Sequence, residues 1–173
     1  MSRGYRVSWV TVGRTASASD SVKLPVALLG ILSAGEMTAL LQAELDRAGW
    51  KKGKDGARST TIEGVTVRLD PAGSELTLVA EETREVEARA TILAEAERLA
   101  DAAAVRAAEQ IRGAPAKRLT RAEGEVRSQL GEAVQRVYRE ALCKKAAALG
   151  EVQSVEESRG PDGEHEIVIK VRT

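Results

Sequence analysis

Few side chains in this sequence could make or break bonds. It holds one cysteine, Cys143, and one histidine, His165, in 173 residues. Cys143 stands in Leu142-Cys143-Lys144-Lys145, where neighbouring ammonium groups could lower a thiol pKa and favour the nucleophilic thiolate. No base is near it in sequence, so a structural or incidental cysteine is the preferred reading. His165 stands in Glu164-His165-Glu166-Ile167. A zincin needs a second histidine four positions on along a helix, so that two imidazoles meet one metal. Here that position is Ile169 and the context is a strand, so the metal motif fails and a core-facing or edge histidine is expected. One cysteine and one histidine exclude an internal disulfide, a Cys-rich metal site and a multi-histidine centre. No catalytic residue, metal ligand or cofactor-binding residue is assigned. No cofactor is called for, and the chain is expected not to be an enzyme.

Basic residues form two further clusters. Gly49-Trp50-Lys51-Lys52-Gly53-Lys54-Asp55 superficially resembles a phosphate loop. It has three residues between its glycines where the motif has four, Asp55 stands where a Mg²⁺-binding Ser or Thr belongs, and the segment follows a helix. The phosphate-loop reading is rejected. Arg47, Lys51, Lys52, Lys54 and Arg58 could still contact phosphates or an acidic partner, as could Arg112, Lys117, Arg118 and Arg121. With Trp50, the residues from Lys51 onward in these two clusters form the candidate partner-binding set. A solvated loop and a solvated turn are the simpler alternatives. The dense glutamates between Glu81 and Glu97 read as solubilising, not catalytic.

The composition sets the class. Hydrophobic residues are 43% and charged residues 30% of the chain, as in a folded globular protein. Lys+Arg and Asp+Glu are both 26, which removes the global basic excess of a dedicated nucleic-acid binder. Only Tyr5, Trp9, Trp50 and Tyr138 are aromatic, too few for a base-stacking platform. The longest apolar run, Leu24–Leu32, is far short of the ~20 residues that a membrane span needs. The polar-alternating N-terminus lacks a signal-peptide core. The expected location is the cytoplasm, which one free thiol fits.

Positioning elements follow from periodicity. Tyr5–Val12 alternates as a strand, residues 14–21 (RTASASDS) read as a loop, and 22–32 fits neither a helix nor a strand well. Ser33 and Glu36 have capping-box spacing. Met37, Leu40, Leu41 and Leu45 then run at helical spacing to Gly49, and Trp50 is expected to pack back on the helix end. Lys51–Ser59 reads as a flexible basic loop. Residues 60–69 and 75–80 flank Asp70-Pro71-Ala72-Gly73 as a β-hairpin. Glu81–Arg112 is rich in Ala, Glu, Arg and Leu and reads as a long helix. Gly113-Ala114-Pro115 breaks it, and a second capping box at Thr120–Glu123 opens a helix to about Leu149. Residues 151–159 and 164–172 flank Gly160-Pro161-Asp162-Gly163 as a second hairpin, with His165, Ile167, Ile169 and Val171 on one face.

The expected fold is α+β, in β-α-ββ-αα-ββ order. One domain over 1–173 holds an antiparallel sheet of about five strands, and 81–149 forms a long antiparallel helical hairpin, coiled-coil-like, as a layer or an arm. Charge supports that hairpin. Residues 81–101 carry seven acids and three bases, and residues 127–145 carry five bases and two acids, so folding back would set opposite signs side by side.

Leu45–Trp50 (LDRAGW), Val65–Val79, Gln135-Arg136-Val137-Tyr138 and Glu156–Val171 with its Asp162-Gly163 turn carry a likeness. In these pieces the chain resembles a family of small bacterial and plastid-encoded proteins of unknown function. Bacterial proteins of that sort are similar to accessory components of MoxR- or FtsH-type AAA+ ATPase and von Willebrand A ternary systems in conflict or stress defence. The resemblance implies a non-catalytic adaptor or regulatory subunit that binds protein partners, among them an AAA+ ATPase or a von Willebrand A-type protein, with homo-oligomerisation open. It brings no catalytic residue. The alternative is a nucleic-acid-binding module using the basic loop 47–58 and the helical turn 112–121.

Overall fold

The computed structural model describes residues 8–159 and 165–172. The chain divides into two compact units. One comprises residues up to Val22, Glu63–Val65 and Leu78–Ala122; the other comprises Lys23–Ile62, Thr66–Thr77 and the residues from Glu123 onward. The elements in chain order are β1 (Val10–Pro25), α1 (Ala34–Arg47), β2 (Lys51–Lys52), β3 (Arg58–Ile62), β4 (Val65–Leu69), β5 (Glu75–Ala90), α2 (Leu93–Ile111), α3 (Ala114–Ala147), β6 (Glu151–Arg159) and β7 (His165–Arg172). The fold is α+β, with a five-stranded antiparallel sheet in the order β1-β5-β4-β3-β2. The expected order of elements holds in outline, but that sheet is built without the C-terminal hairpin. Among the described residues, β6 and β7 pair only with each other, Val155 opposite Ile169 and Glu157 opposite Ile167. The expected turn at Gly160–Gly163 lies outside the described residues, as does the Tyr5–Val7 part of the first expected strand.

Three elements differ from the sequence reading, each for a physical reason. The segment 14–21, expected as a loop, is the middle of the sixteen-residue strand β1. Its inward positions include Ala16 and Ala18, too small to give an apolar alternation, yet Ala16 is buried. Glu81–Ala90, expected as helix, completes the sixteen-residue strand β5. Its composition suits a helix, but Val86, Ala88 and Ala90 also repeat at period two and lie on its more buried face. Third, the chain does not fold back at Gly113. Arg112 keeps right-handed helical angles (φ −51°, ψ −37°), and only Arg112 and Gly113 separate α2 from α3. Pro115 falls in the first turn of α3, where its missing N–H costs no hydrogen bond. One buried stripe runs through the join without losing phase: Ala100, Ala107, Ile111, Pro115, Leu119, Ala122, Val126. In place of an antiparallel pair there is one long, bent helix, so the complementary charges of 81–101 and 127–145 have no hairpin to serve.

Each unit has its own core. In the first, Ala107 and Ile111 of α2 meet Ala16 of β1, with Ala18 and Val86 packed against them. In the second, Met37, Leu41 and Leu45 of α1, Leu69 and Leu76 of the strands, and Val126 and Val137 of α3 are all buried. The expected hairpin turn is built around Asp70, whose carboxylate accepts the N–H groups of Ser74 and Glu75 at 2.7 and 2.9 Å. Gly73 there has φ 72°, a conformation that favours glycine. A second turn joins β3 to β4 through Glu63 (φ 49°) and Gly64 (φ 77°), both left-handed as a two-residue type I′ hairpin turn requires.

Candidate functional site

The site is assembled in the second unit, beginning with α1. Its capping box forms as expected: the Glu36 N–H donates to Ser33 Oγ, and the Ser33 N–H donates to Glu36 Oε2 at 3.1 Å. The Ser33 hydroxyl and then the Ser33 N–H hold the Glu36 carboxyl below its ordinary value. The far end closes in a Schellman arrangement, with Gly49 at φ 86° and the Trp50 N–H donating to the Leu45 carbonyl at 2.9 Å. Trp50 is buried at that end, as its position after Gly49 predicts.

So capped, α1 presents Glu44 toward α3. The Glu44 side chain is only 7% exposed, and two guanidiniums meet it. Arg136 Nε donates to Oε2 at 3.0 Å, and Arg47 bonds Oε1 from one turn on. Arg47 also faces Glu140 at 3.8 Å, and Lys144 pairs with Glu140 at 3.2 Å. A buried carboxylate holds its charge only with such partners. This network fastens α1 to one side of α3 and fixes which way the next face of α3 points.

That face forms a groove of about 580 Å³. Tyr138 and Leu142 of α3, Leu29 and Ile31 of the 26–32 segment and Ile167 of β7 give it an apolar lining. Its rim is polar: Glu132, Gln135, Arg136, Arg139 and Glu157. The 26–32 segment is tied down where the Leu29 N–H donates to Tyr138 Oη at 3.1 Å. Arg139 reaches Glu157 of β6 at 2.7 Å, joining the hairpin to α3. Leu29 remains 63% exposed, a large apolar side chain held in the open. Such a surface can hold apolar groups and orient them by charge. Among the described residues, no group of three or more His, Cys, Asp or Glu is placed to hold a metal ion. Cys143 is half-buried, free, and beside Glu44 and Arg139 in a shallow cleft of α3. His165 opens β7 opposite Arg159.

The expected partner-binding residues divide between the two units and differ in their settings. Trp50 belongs to the core. Arg58 is 5% exposed and makes a bidentate pair with Asp46, at 2.6 and 3.0 Å, while donating to the Gly56 carbonyl. Lys51, Lys52 and Lys54 are exposed, on β2 and a turn braced by Asp55. The Ala57 N–H first, with Arg68 adding to it, holds the Asp55 carboxyl below its ordinary value. The expected flexible loop is thus a hydrogen-bonded turn, with the Gly53 N–H on the Ala57 carbonyl at 2.8 Å. Arg112, Lys117 and Arg121 are exposed along the bent helix, whereas Arg118 donates to the Glu81 carbonyl at 3.1 Å and pairs with Glu82. None of the groove residues is among the expected partner-binding residues, although Gln135, Arg136, Tyr138, Glu157 and Ile167 fall in the segments that carry the family likeness. Their signal was the apolar 24–32 run that matched no element, and Tyr138, one of two tyrosines.

No curated protein and no solved structure matches the chain. A family model described as FtsH ternary system domain X5 matches residues 1–173. The match spans every element that builds the groove, so the chain belongs to the FtsH ternary system domain X5 family.

Proposed function

We propose that the chain is a non-catalytic adaptor or regulatory subunit, binding protein partners within an FtsH-type, ATPase-linked assembly. The family's description makes it a component of an FtsH ternary system, and the match over residues 1–173 is the observation that carries the reading. The groove supports it. An apolar lining of Leu29, Ile31, Tyr138, Leu142 and Ile167 inside a rim of both charge signs suits a protein surface that offers apolar side chains between polar ones. The partners this reading names are the AAA+ ATPase and a von Willebrand A-type protein.

The test is co-expression of the tagged chain with the FtsH-type ATPase and the von Willebrand A-type protein of the same organism. The expected result is retention of at least one of them, with Leu142→Asp and Ile167→Asp each weakening capture about tenfold or more, as loss of an interface anchor does. Failure of the native chain to retain either protein at any salt concentration sinks the reading.

A further inference from the structure

Strand β1 is one edge of the five-stranded sheet, and its sequence is complementary to itself. The two edges are unlike. β2, at the other edge, is two residues long and both are lysines, a common guard against strand addition. β1 is sixteen residues long, and among the described residues no strand pairs with its outer side. Thr11, Gly13, Thr15, Ser17, Ser19 and Ser21 are all exposed. A long edge of this kind leaves alternate backbone N–H and C=O groups free to pair with another chain.

We propose that β1 pairs antiparallel with β1 of a second copy of this chain, about a twofold axis at Ser17, making one ten-stranded sheet. The sequence supplies the register. Reading outward from Ser17, Ala16 meets Ala18 of the other copy and Thr15 meets Ser19. Arg14 then meets Asp20, Gly13 meets Ser21, and Val12 meets Val22. The next positions, Thr11 with Lys23 and Val10 with Leu24, continue the match. An axis perpendicular to the sheet keeps each face continuous across the junction. The more buried face of each copy, with Val12, Ala16, Ala18 and Val22, therefore extends the same face of the other. Both charged residues on that face find opposite charges. Sliding the register by two positions sets Arg14 and Asp20 opposite alanine or valine, and sliding it by six sets like charges opposite each other. Only the Ser17-centred register satisfies both charges twice.

The single chain is built to accept this. Arg14 Nε donates to Asp101 of α2 at 2.7 Å, which holds the guanidinium extended over the β1 face. Two nitrogens remain for an incoming Asp20, although Nη1 already donates to the Gly13 carbonyl at 3.2 Å. Asp20 accepts the Ser21 N–H through Oδ1 at 2.8 Å, leaving Oδ2 for an arginine. Pairing over residues 12–22 forms roughly ten interchain backbone hydrogen bonds, about two for every two opposed pairs, two of which replace the side-chain bonds that the Gly13 carbonyl and the Ser21 N–H make within the chain. The inference is independent of the adaptor reading.

Sedimentation of the native chain is expected to give twice the 18.4 kDa monomer mass. Arg14→Asp or Asp20→Arg alone puts like charges opposite each other at both symmetric sites and is expected to weaken the dimer about tenfold or more. The double swap, R14D with D20R, restores opposite charges and the dimer. In a Cys143→Ser background, Ser17→Cys is expected to crosslink on oxidation, because residue 17 faces its own copy. Thr15→Cys is not, since its copies lie about 13 Å apart along the strands, beyond disulfide reach. A native monomer at all concentrations overturns the proposal. So does a dimer indifferent to the single charge changes, a folded double swap that stays monomeric, or equal crosslinking at 15 and 17.

Discussion

A carboxylate removed from water keeps its charge only where cations meet it, and Glu44 has Arg136 and Arg47. Removing one side of such a contact costs more than the contact contributes, because the other side is left buried and unpaired. Both arginines keep water access, Arg136 being 52% and Arg47 65% exposed. The cost is therefore lopsided. Glu44→Ala leaves no buried charge behind and is expected to destabilise by about 1 kcal/mol, measured by urea unfolding. Arg136→Ala together with Arg47→Ala leaves Glu44 buried without a cation and is expected to cost about 3–5 kcal/mol. At Asp70, burial pushes the carboxyl up, but the Glu75 N–H and then the hydroxyl and N–H of Ser74 outweigh it and hold the value low. Glu36 and Asp55 are lowered too. A carboxyl that is lowered in the folded state stabilises above its unfolded value and loses that contribution as pH falls through the folded one. Stability is expected to fall as pH drops below about 4.5, toward the lowered native values. Asp70→Asn should flatten that acid limb while lowering stability near neutrality, both read from urea midpoints against pH.

At the scale of elements, the bent helix carries three glycines that it does not need. Gly113, Gly124 and Gly131 have no positive φ, and a Cβ added at any of them meets nothing within 4 Å. Replacing each with alanine removes unfolded-state freedom at no steric cost and should stabilise by about 0.5–1 kcal/mol per site. Gly113 is the telling position. In a chain-reversing turn an alanine there would destabilise, whereas in a continuing helix it raises the melting temperature. The helix also shows what sequence could and could not convey. Ser33, Glu36 and Gly49 act through contacts a few residues away, so α1 and its ends were legible. The Asp70 turn and the β6–β7 hairpin were legible for the same reason. Gly113 and Pro115 form a break in most settings, and only the phase of the buried stripe across them shows that the helix goes on. The strand identity of 14–21 and 81–90 comes from β1 and β5 pairing with each other across more than sixty residues of chain, which no local window contains. The groove was hidden likewise, because Leu29, Tyr138 and Ile167 meet only when three separate elements do.

For the molecule as a whole, the question is whether two compact units unfold as one. The chain passes between them repeatedly, and β1, β4, β5 and α3 each contribute residues to both. No contiguous half of the sequence contains either unit complete, so we propose a single cooperative domain over 1–173. Trp50 is buried in the second unit and Trp9 is 65% exposed in the first, so the fluorescence change on unfolding reports the second unit. Far-ultraviolet circular dichroism reports α2, which belongs to the first unit, as well as α1 and α3. A shared transition makes the two signals coincide in urea, with one midpoint and one slope. Two midpoints would mean that the units melt apart. Concentration adds a second reading. A chain that folds as a β1-paired dimer has a midpoint that rises with protein concentration, and Asp20→Arg should abolish the rise while leaving the two signals superimposed. Loss of coincidence in that variant would show instead that pairing along the outer edge of β1 contributes to the cooperativity itself.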